Sequence, residues 1–249
     1  MGNLRGLGGG KGLDVGKGVA KALGARVITV PTIASNDSPT SRSFVVVGES
    51  GSGKSLTALS LMGLLPKGAA ISGSLQLNTN NQVYNLHAVD NAQWQHLRGK
   101  EMGMVFQEPM SSLNPVMKIG KQLAEVILTH QQVDKASAKQ QAIEWLRKVQ
   151  LPNPERLYDR YPHQLSGGQK QRVMIAMAMC NKPVLLIADE PTTALDVTVQ
   201  QEVIALMRNL QQEHQTAMIF ITHDLELAAA IADSVLVMHK GTAVEYGPA

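Results

Sequence analysis

"GESGSGKS", residues 48–55, is the stretch on which the reading of this chain turns. It places Gly48, Gly53, Lys54 and Ser55 in the pattern G-x-x-x-x-G-K-[ST]. The run "FVVV", 44–47, leads in as a buried strand, and "SLTALSLMGLL" leads out as a helix that Pro66 ends. Glycines at these places let backbone N–H groups turn inward around phosphate oxygens, and the helix N-terminus adds partial positive charge. Lys54 is placed to reach the β- and γ-phosphates, and Ser55 to ligate Mg²⁺. Glu49, Ser50, Gly51 and Ser52 within the loop, and Leu56 just behind it, complete the candidate cradle.

Two further stretches extend the site. "VLLIADE", 184–190, reads as a central strand with Asp189 emerging at its carboxyl end, where α/β sheets bind ligands. A carboxylate there can hold the shell of a Mg²⁺ ion, and Glu190, one residue on, can accept a proton from an attacking water. "LSGGQKQR", 165–172, is a second anion-binding helix start: Ser166 caps it, and Gly167 and Gly168 open the backbone, with Gln169 following. One nucleotide in one chain does not need two such starts. The pair implies a composite site, with one chain's loop facing the other chain's "LSGGQ".

The rest of the chain alternates. "LDVGKGVAKAL", 13–23, reads as a helix stopped at Gly24, and "RVITV", 26–30, as a buried strand. "GSLQLN" and "QVYNL" read as exposed antiparallel strands, and about 111–160 as mostly helical. "VTVQQEVIALMRNLQQEH" is a long helix, "TAMIFITHD" a buried strand, and "SVLVMHKGTAVEYG" a hairpin about Lys240-Gly241. Strands alternating with helices imply an α/β fold with a mainly parallel sheet.

Composition narrows the classes. The chain has 249 residues, 44% hydrophobic and 17% charged, as in an ordinary globular protein. Its net charge is +3, but residues 1–42 carry +4 and the rest −1, so the body has no basic excess for nucleic acid. The longest apolar run, "VMIAMAMC" at 173–180, is too short to span a bilayer, and the N-terminus has no apolar h-region of a signal peptide. The single Cys180 excludes an internal disulfide and reads as packing. His87, His96, His130, His163, His214 and His239 lack metal-site spacing.

Residues 44–249 resemble the ATP-binding cassette ATPases. The matching elements stand in family order: "GESGSGKS", Gln107 in "MVFQEP", "LSGGQ", "VLLIADE", Asp196 in "TALD", and His223 in "ITHD". The resemblance implies a P-loop NTPase fold with a mainly parallel core sheet, a helical subdomain over about 108–165, and an incomplete antiparallel β subdomain. It implies ATP and Mg²⁺, the metal being held by Ser55, Gln107 and Asp189. Gln107 then senses the γ-phosphate and relays to the helical subdomain, Glu190 polarises the attacking water, and His223 contacts the γ-phosphate. Ser166, Gly167, Gly168 and Gln169 close on the nucleotide of a partner subunit, and Asp196 shapes the seam between them. "FQEPMSSLNPVMKIGKQLAE" and "YPHQLSGGQKQRVMIAMA" are similar to the importer ATPases for oligopeptides, dipeptides and nickel. That group implies a second ATPase subunit, integral membrane permeases, indirectly a solute-binding protein, and a place on the cytoplasmic face of the inner membrane. Solute identity is not expected to be written in this subunit.

The N-terminal stretch "GGGKGLDVGKGVAKALGARVITVPTIASNDSPTS" resembles a different family, glycerol dehydrogenase and the iron-type alcohol dehydrogenases. There Gly9, Gly10 and Lys11 lie against the pyrophosphate of NAD with Asp14 nearby, and Thr32 and Ser35 lie further along the cofactor. The chain thus reads as a chimera of a segment 1–43 and a cassette 44–249, with the seam near Phe44–Val47. An NAD-binding oxidoreductase fragment, a non-catalytic nucleotide-binding module, and a soluble cassette protein of translation or DNA repair are the rival readings. Residues 1–43 contain no Phe, Tyr, Trp or His, so the aromatic that stacks on adenine in cassette ATPases is missing. The small antiparallel sheet is expected to keep an unpaired edge. The sequence stops at "EYGPA", where the importer group is expected to continue with at least another helix.

Overall fold

The computed structural model describes residues 15–21, 43–67, 69–79, 82–108 and 112–249. In chain order the elements are β1 (Val15–Lys21), β2 (Ser43–Gly48), α1 (Lys54–Leu61), β3 (Ala70–Asn78), β4 (Val83–Asn85), α2 (Asn91–His96) and β5 (Met102–Val105). There follow α3 (Ile119–His130), α4 (Lys135–Lys148), α5 (Pro154–Tyr158), α6 (Gly167–Met179), β6 (Leu185–Asp189) and α7 (Val197–His214). The chain continues through β7 (Ala217–Thr222), α8 (Leu225–Ile231), β8 (Ser234–His239) and β9 (Thr242–Pro248).

The main sheet runs β5-β6-β7-β2-β8-β9. All neighbours are parallel except β8 and β9, which form the hairpin read about Lys240-Gly241. β2 lies between β7 and β8, with Val45 opposite Phe220 and Val235. Its four apolar residues serve two cores. Val45 and Val47 pack into the layer of α3, α4, α6 and α7, while Phe44 and Val46 pack with α1, Leu75 and Leu77 on the other face. Burial on both faces is why the strand shows no polar alternation. β6 follows the same rule: Leu186 and Ala188 face one core, Leu185 and Ile187 the other. Each such fully buried aliphatic contributes about 1.5–3 kcal/mol. These two strands, with β7 between them, fix where Gly48 and Asp189 emerge.

The helices stand close to where the sequence puts them. α7 matches the expected long helix, capped by the Asp196 carboxylate, which accepts from Val199 N at 3.0 Å. α3, α4 and α5 pack side by side through Leu123, Ile127, Ala142, Leu146 and Leu157. Cys180, at the end of α6, is buried as expected, and burial pushes its thiol up to about 12.

One expectation is corrected in the small sheet. Residues 15–21 form a strand, where a helix over 13–23 is expected from the sequence. Gly16 and Gly18 each weaken a helix by about 1 kcal/mol, while β3 offers a ladder of backbone groups to pair with. β1 takes that ladder antiparallel, from Val15 opposite Leu75 to Lys21 opposite Ala70, with a register shift between Gly16 and Val19. The order is β1-β3-β4, so β3 is paired on both sides, while β4 keeps, among the described residues, the unpaired edge expected of the pair. The strand expected at 26–30 lies outside the described residues.

Candidate functional site

The loop 48–53 leaves β2 and turns into α1. Gly48 is required by contact: a Cβ there would lie 2.3 Å from the Met238 carbonyl oxygen of β8 and 2.7 Å from Ser52 Oγ. Gly53, at the start of α1, sits at φ +94°, in the left-handed region that favours glycine. Ser52 Oγ is buried and has no hydrogen-bond partner. A buried hydroxyl without a partner among the described residues is uncommon.

Lys54 is buried, and its ammonium donates to the carbonyls of Gly48 at 2.5 Å and Glu49 at 3.0 Å. It also lies 3.6 Å from Glu190 Oε1. Next to it, Ser55 Oγ donates to Asp189 Oδ1 at 3.1 Å, joining the start of α1 to the end of β6. Asp189 is buried, and that burial pushes its carboxyl above the usual range. The Ser55 hydrogen bond opposes the shift, the Glu190 charge adds to it, and Lys54 opposes it again.

Glu190 collects side chains from four segments. Besides Lys54, Gln107 Nε2 donates to its Oε2 at 3.1 Å, Thr193 Oγ1 donates at 3.2 Å, and His223 Nδ1 stands 3.4 Å away. Its backbone adopts φ +44°, held by Glu190 N donating to Ile221 O at 3.0 Å. A left-handed non-glycine residue costs about 1 kcal/mol, and such strain gathers at functional sites. Gln107, Lys54, Glu190 and His223, singled out separately in the sequence, thus meet at one carboxylate. Thr193 is the residue that sequence reading passes over. Its signal was a hydroxyl three positions after Glu190 in the Thr192-Thr193 pair.

The turn at Ser166 stays apart from this cluster. Ser166 Oγ accepts from Gln169 N at 3.3 Å, and Gln169 Oε1 accepts from Ser166 N at 3.1 Å. This reciprocal box caps α6: each side chain accepts from the other residue's backbone N–H. Ser166 and Gly167 are exposed, and a Cβ at Gly168 would lie 2.7 Å from Val199 Cγ1. The start of α6 is therefore presented at the surface. Gly9, Gly10, Lys11, Asp14, Thr32 and Ser35 lie outside the described residues.

The sequence profile of the family described as ABC transporter matches residues 34–193. The chain belongs to the ABC transporter family. A second profile, of the iron-containing alcohol dehydrogenases, matches residues 2–65 and overlaps the first. Among curated ABC relatives, the Escherichia coli K12 glutathione import ATP-binding protein GsiA is 50% identical over 207 residues, covering 82% of this chain and 33% of that protein. The Bacillus subtilis 168 oligopeptide transport ATP-binding protein OppD is 48% identical over 206 residues, covering 82% of this chain and 56% of that protein. The chain thus spans between a third and a little over half the length of these relatives. Two solved cassettes share the fold. The dimeric cassette MJ0796, in a post-hydrolysis state bound to ADP and Pi, aligns with TM-score 0.74 at 23% identity, over 95% of this chain and 97% of that one. CbiO1 of Clostridium perfringens aligns with TM-score 0.73 at 23% identity, over 95% and 87%. No helix among the described residues is long and apolar enough to cross a membrane.

Proposed function

We propose that this chain binds and hydrolyses ATP as the nucleotide-binding subunit of an importer for peptides or nickel. The observation that carries the reading is the convergence of Lys54, Gln107, Thr193 and His223 on Glu190, one residue beyond the Ser55–Asp189 pair. Gly48 to Leu56 cradle the phosphates, and Lys54 exchanges its loop carbonyls for phosphate oxygens. The donor set at Ser55 and Asp189 is hard oxygen, and the buried Asp189 carboxylate lacks a full counter-charge, so the residues fit a Mg²⁺ ion, with Gln107 as a further ligand. Bound there, Mg²⁺ supplies charge neutralisation to the phosphates. Glu190 orients the attacking water and takes its proton. His223 stabilises the charge on the transferred phosphoryl group. Rate enhancement comes from positioning and fixed charge.

Ser166, Gly167, Gly168 and Gln169 serve the partner subunit's nucleotide, and Asp196 lies along the seam. The exposure of the Ser166 turn, apart from the chain's own phosphate loop, supports a dimer. The helical subdomain, about 108–165, docks a membrane permease at the cytoplasmic face, with a solute-binding protein as an indirect partner; segment 1–43 contributes strand β1 to the small sheet. Names of the curated relatives support an import role. The test is steady-state phosphate release by the purified chain against Glu190→Gln, with nucleotide binding measured in parallel. Turnover reduced by about 10²–10⁴ with binding retained is expected. Equal turnover in both proteins would remove Glu190 from its role.

A second reading rests on the alcohol dehydrogenase match at 2–65. On it the segment around Gly9, Gly10 and Lys11 holds NAD. Titration with NAD of the full chain carrying Lys54→Ala, with and without Lys11→Ala, separates the two: binding that survives Lys54→Ala and is lost when Lys11→Ala is added belongs to the first segment.

A further inference from the structure

Away from the phosphate loop, a cleft of about 680 Å³ opens where the end of α3, the outer face of α4 and the turn after α6 meet. Its volume lies in the range of small-ligand sites, about 300–1,000 Å³. Lys100, Lys148 and Lys182 reach it from three separate segments, with His130, Trp145 and Asn181 in its wall. Lys148 is committed: it pairs with Glu213 at 2.5 Å and lies over the Trp145 ring at 5.3 Å. Among the described residues, Lys100 and Lys182 make no ion pair. Against the three ammonium groups the wall sets one carboxylate, Glu144.

We propose that this cleft is a second anion site, which takes a small polyphosphate-bearing molecule between Lys100 and Lys182. Three observations support it. The wall is predominantly polar, with the amides of Gln131 and Gln141 alongside the lysines. Its floor is pre-ordered, because Asn181 is buried with Nδ2 donating to Gly99 O at 2.8 Å and Oδ1 accepting from Gln131 Nε2 at 2.8 Å. The lysines act on the neighbouring imidazoles. Burial lowers His130 first, and His96 and Lys100 lower it further. Burial also lowers His214, which packs on Trp145, and Lys148 and Lys182 act in the same direction while Glu213 opposes them. Lys182 itself adopts φ +51°, an uncommon conformation for a lysine. Nothing in this arrangement depends on the phosphate loop, so the inference stands or falls separately from ATP hydrolysis.

The test uses the full chain, with inorganic pyrophosphate as probe in equilibrium dialysis without nucleotide. Lys54→Ala disables the phosphate loop, and Lys100→Gln with Lys182→Gln disables the cleft without touching a buried side chain. The expected result is residual pyrophosphate binding in Lys54→Ala that weakens at least tenfold when the two glutamines are added, with an unchanged melting temperature. Absence of binding in Lys54→Ala would overturn the proposal. Binding that is indifferent to the two glutamines would overturn it as well, and would locate the anion elsewhere.

Discussion

Consider Gly48→Ala. The added Cβ would sit 2.3 Å from the Met238 carbonyl oxygen, where a carbon and a carbonyl oxygen normally keep about 3.3 Å or more. Backbone on one side or the other must give by about 1 Å. The carbonyl cannot swing away cheaply, because Gly48 and Met238 are register partners in the β2–β8 ladder. Ser52 Oγ, 2.7 Å from the same Cβ, is buried and blocks the other direction. Overpacking of this kind costs about 1–3 kcal/mol. In urea that is a midpoint lower by about 0.3–1 M for a protein of this size. A displacement of about 1 Å in a positioning loop also costs about 10²-fold in turnover.

Gly51→Ala supplies the contrast. Nothing lies within 4 Å of a Cβ there, but its φ is +80°. Its cost is therefore conformational, about 1–2 kcal/mol, with no push on β8. Urea unfolding of both variants, with phosphate release under saturating ATP, distinguishes contact from strain. Both are expected to lose stability, but only Gly48→Ala is expected to lose turnover by about two orders of magnitude. If Gly48→Ala unfolded within about 0.5 kcal/mol of the unmodified chain and kept its turnover, the contact argument for this loop would be wrong.

Three other expectations follow from the site. Thr193→Val removes one of the groups that hold the Glu190 carboxylate; since Thr193 is exposed, the loss should be about 1 kcal/mol, or about fivefold in kcat with KM unchanged. The effect should vanish in a Glu190→Gln background, and a fivefold effect surviving there would mean Thr193 acts elsewhere. Asp189 has a raised pKa in the fold, so its contribution to stability is full below the ordinary aspartate pKa and is lost as pH rises through the raised value. Asp189→Asn should therefore melt higher than the unmodified chain at neutral pH without nucleotide, and the gap should close in acid; a lower melting temperature at neutral pH would contradict this. Because residues 1–43 offer no aromatic ring, ATP should bind more weakly by about 1–3 kcal/mol than with such a platform, and GTP should compete comparably. Strong exclusion of GTP in a competition titration would show that another surface reads the base.

The elements that carry chemistry were legible because their chemistry constrains them. A strand buried on both faces must be apolar throughout, so "FVVV" and "VLLIAD" stood out, and α7 stood out as a long helix, whereas its cap at Asp196 did not. β5 was less visible, since Met102–Val105 is four residues with a glycine inside and takes its place only by pairing with β6. Helix α2 depends on a local capping box at Asp90 and Gln93 that buries none of its own residues. α8 is seven residues with two buried side chains, too short for a period to register. The site residues were individually legible, but their convergence was not. That four groups meet at Glu190 follows from the strand order β5-β6-β7-β2: Gln107 follows β5, His223 follows β7 and Lys54 follows β2, while the β6–β7 pairing brings Ile221 O to Glu190 N and sets the left-handed turn.

β1 shows where sequence resemblance and structural role part company. Residues 15–21 fall within the match to iron-containing alcohol dehydrogenases, yet the strand completes a sheet packed on an ABC transporter core. A β-ladder is joined through backbone N–H and C=O groups, which every residue but proline carries in full, so the β3 edge can accept a strand of foreign ancestry. Gly16 and the register shift that follows it show the accommodation: the pairing is made in two pieces rather than one continuous ladder. A binding platform is different, because it needs a particular side chain. Residues 1–43 bring no aromatic ring whichever way they fold. The substitution of one segment for another can therefore restore the architecture of the small sheet while leaving base recognition unrepaired. On this argument, if residues 1–43 are of foreign ancestry, folding and phosphate chemistry survive the exchange more readily than nucleotide selectivity does.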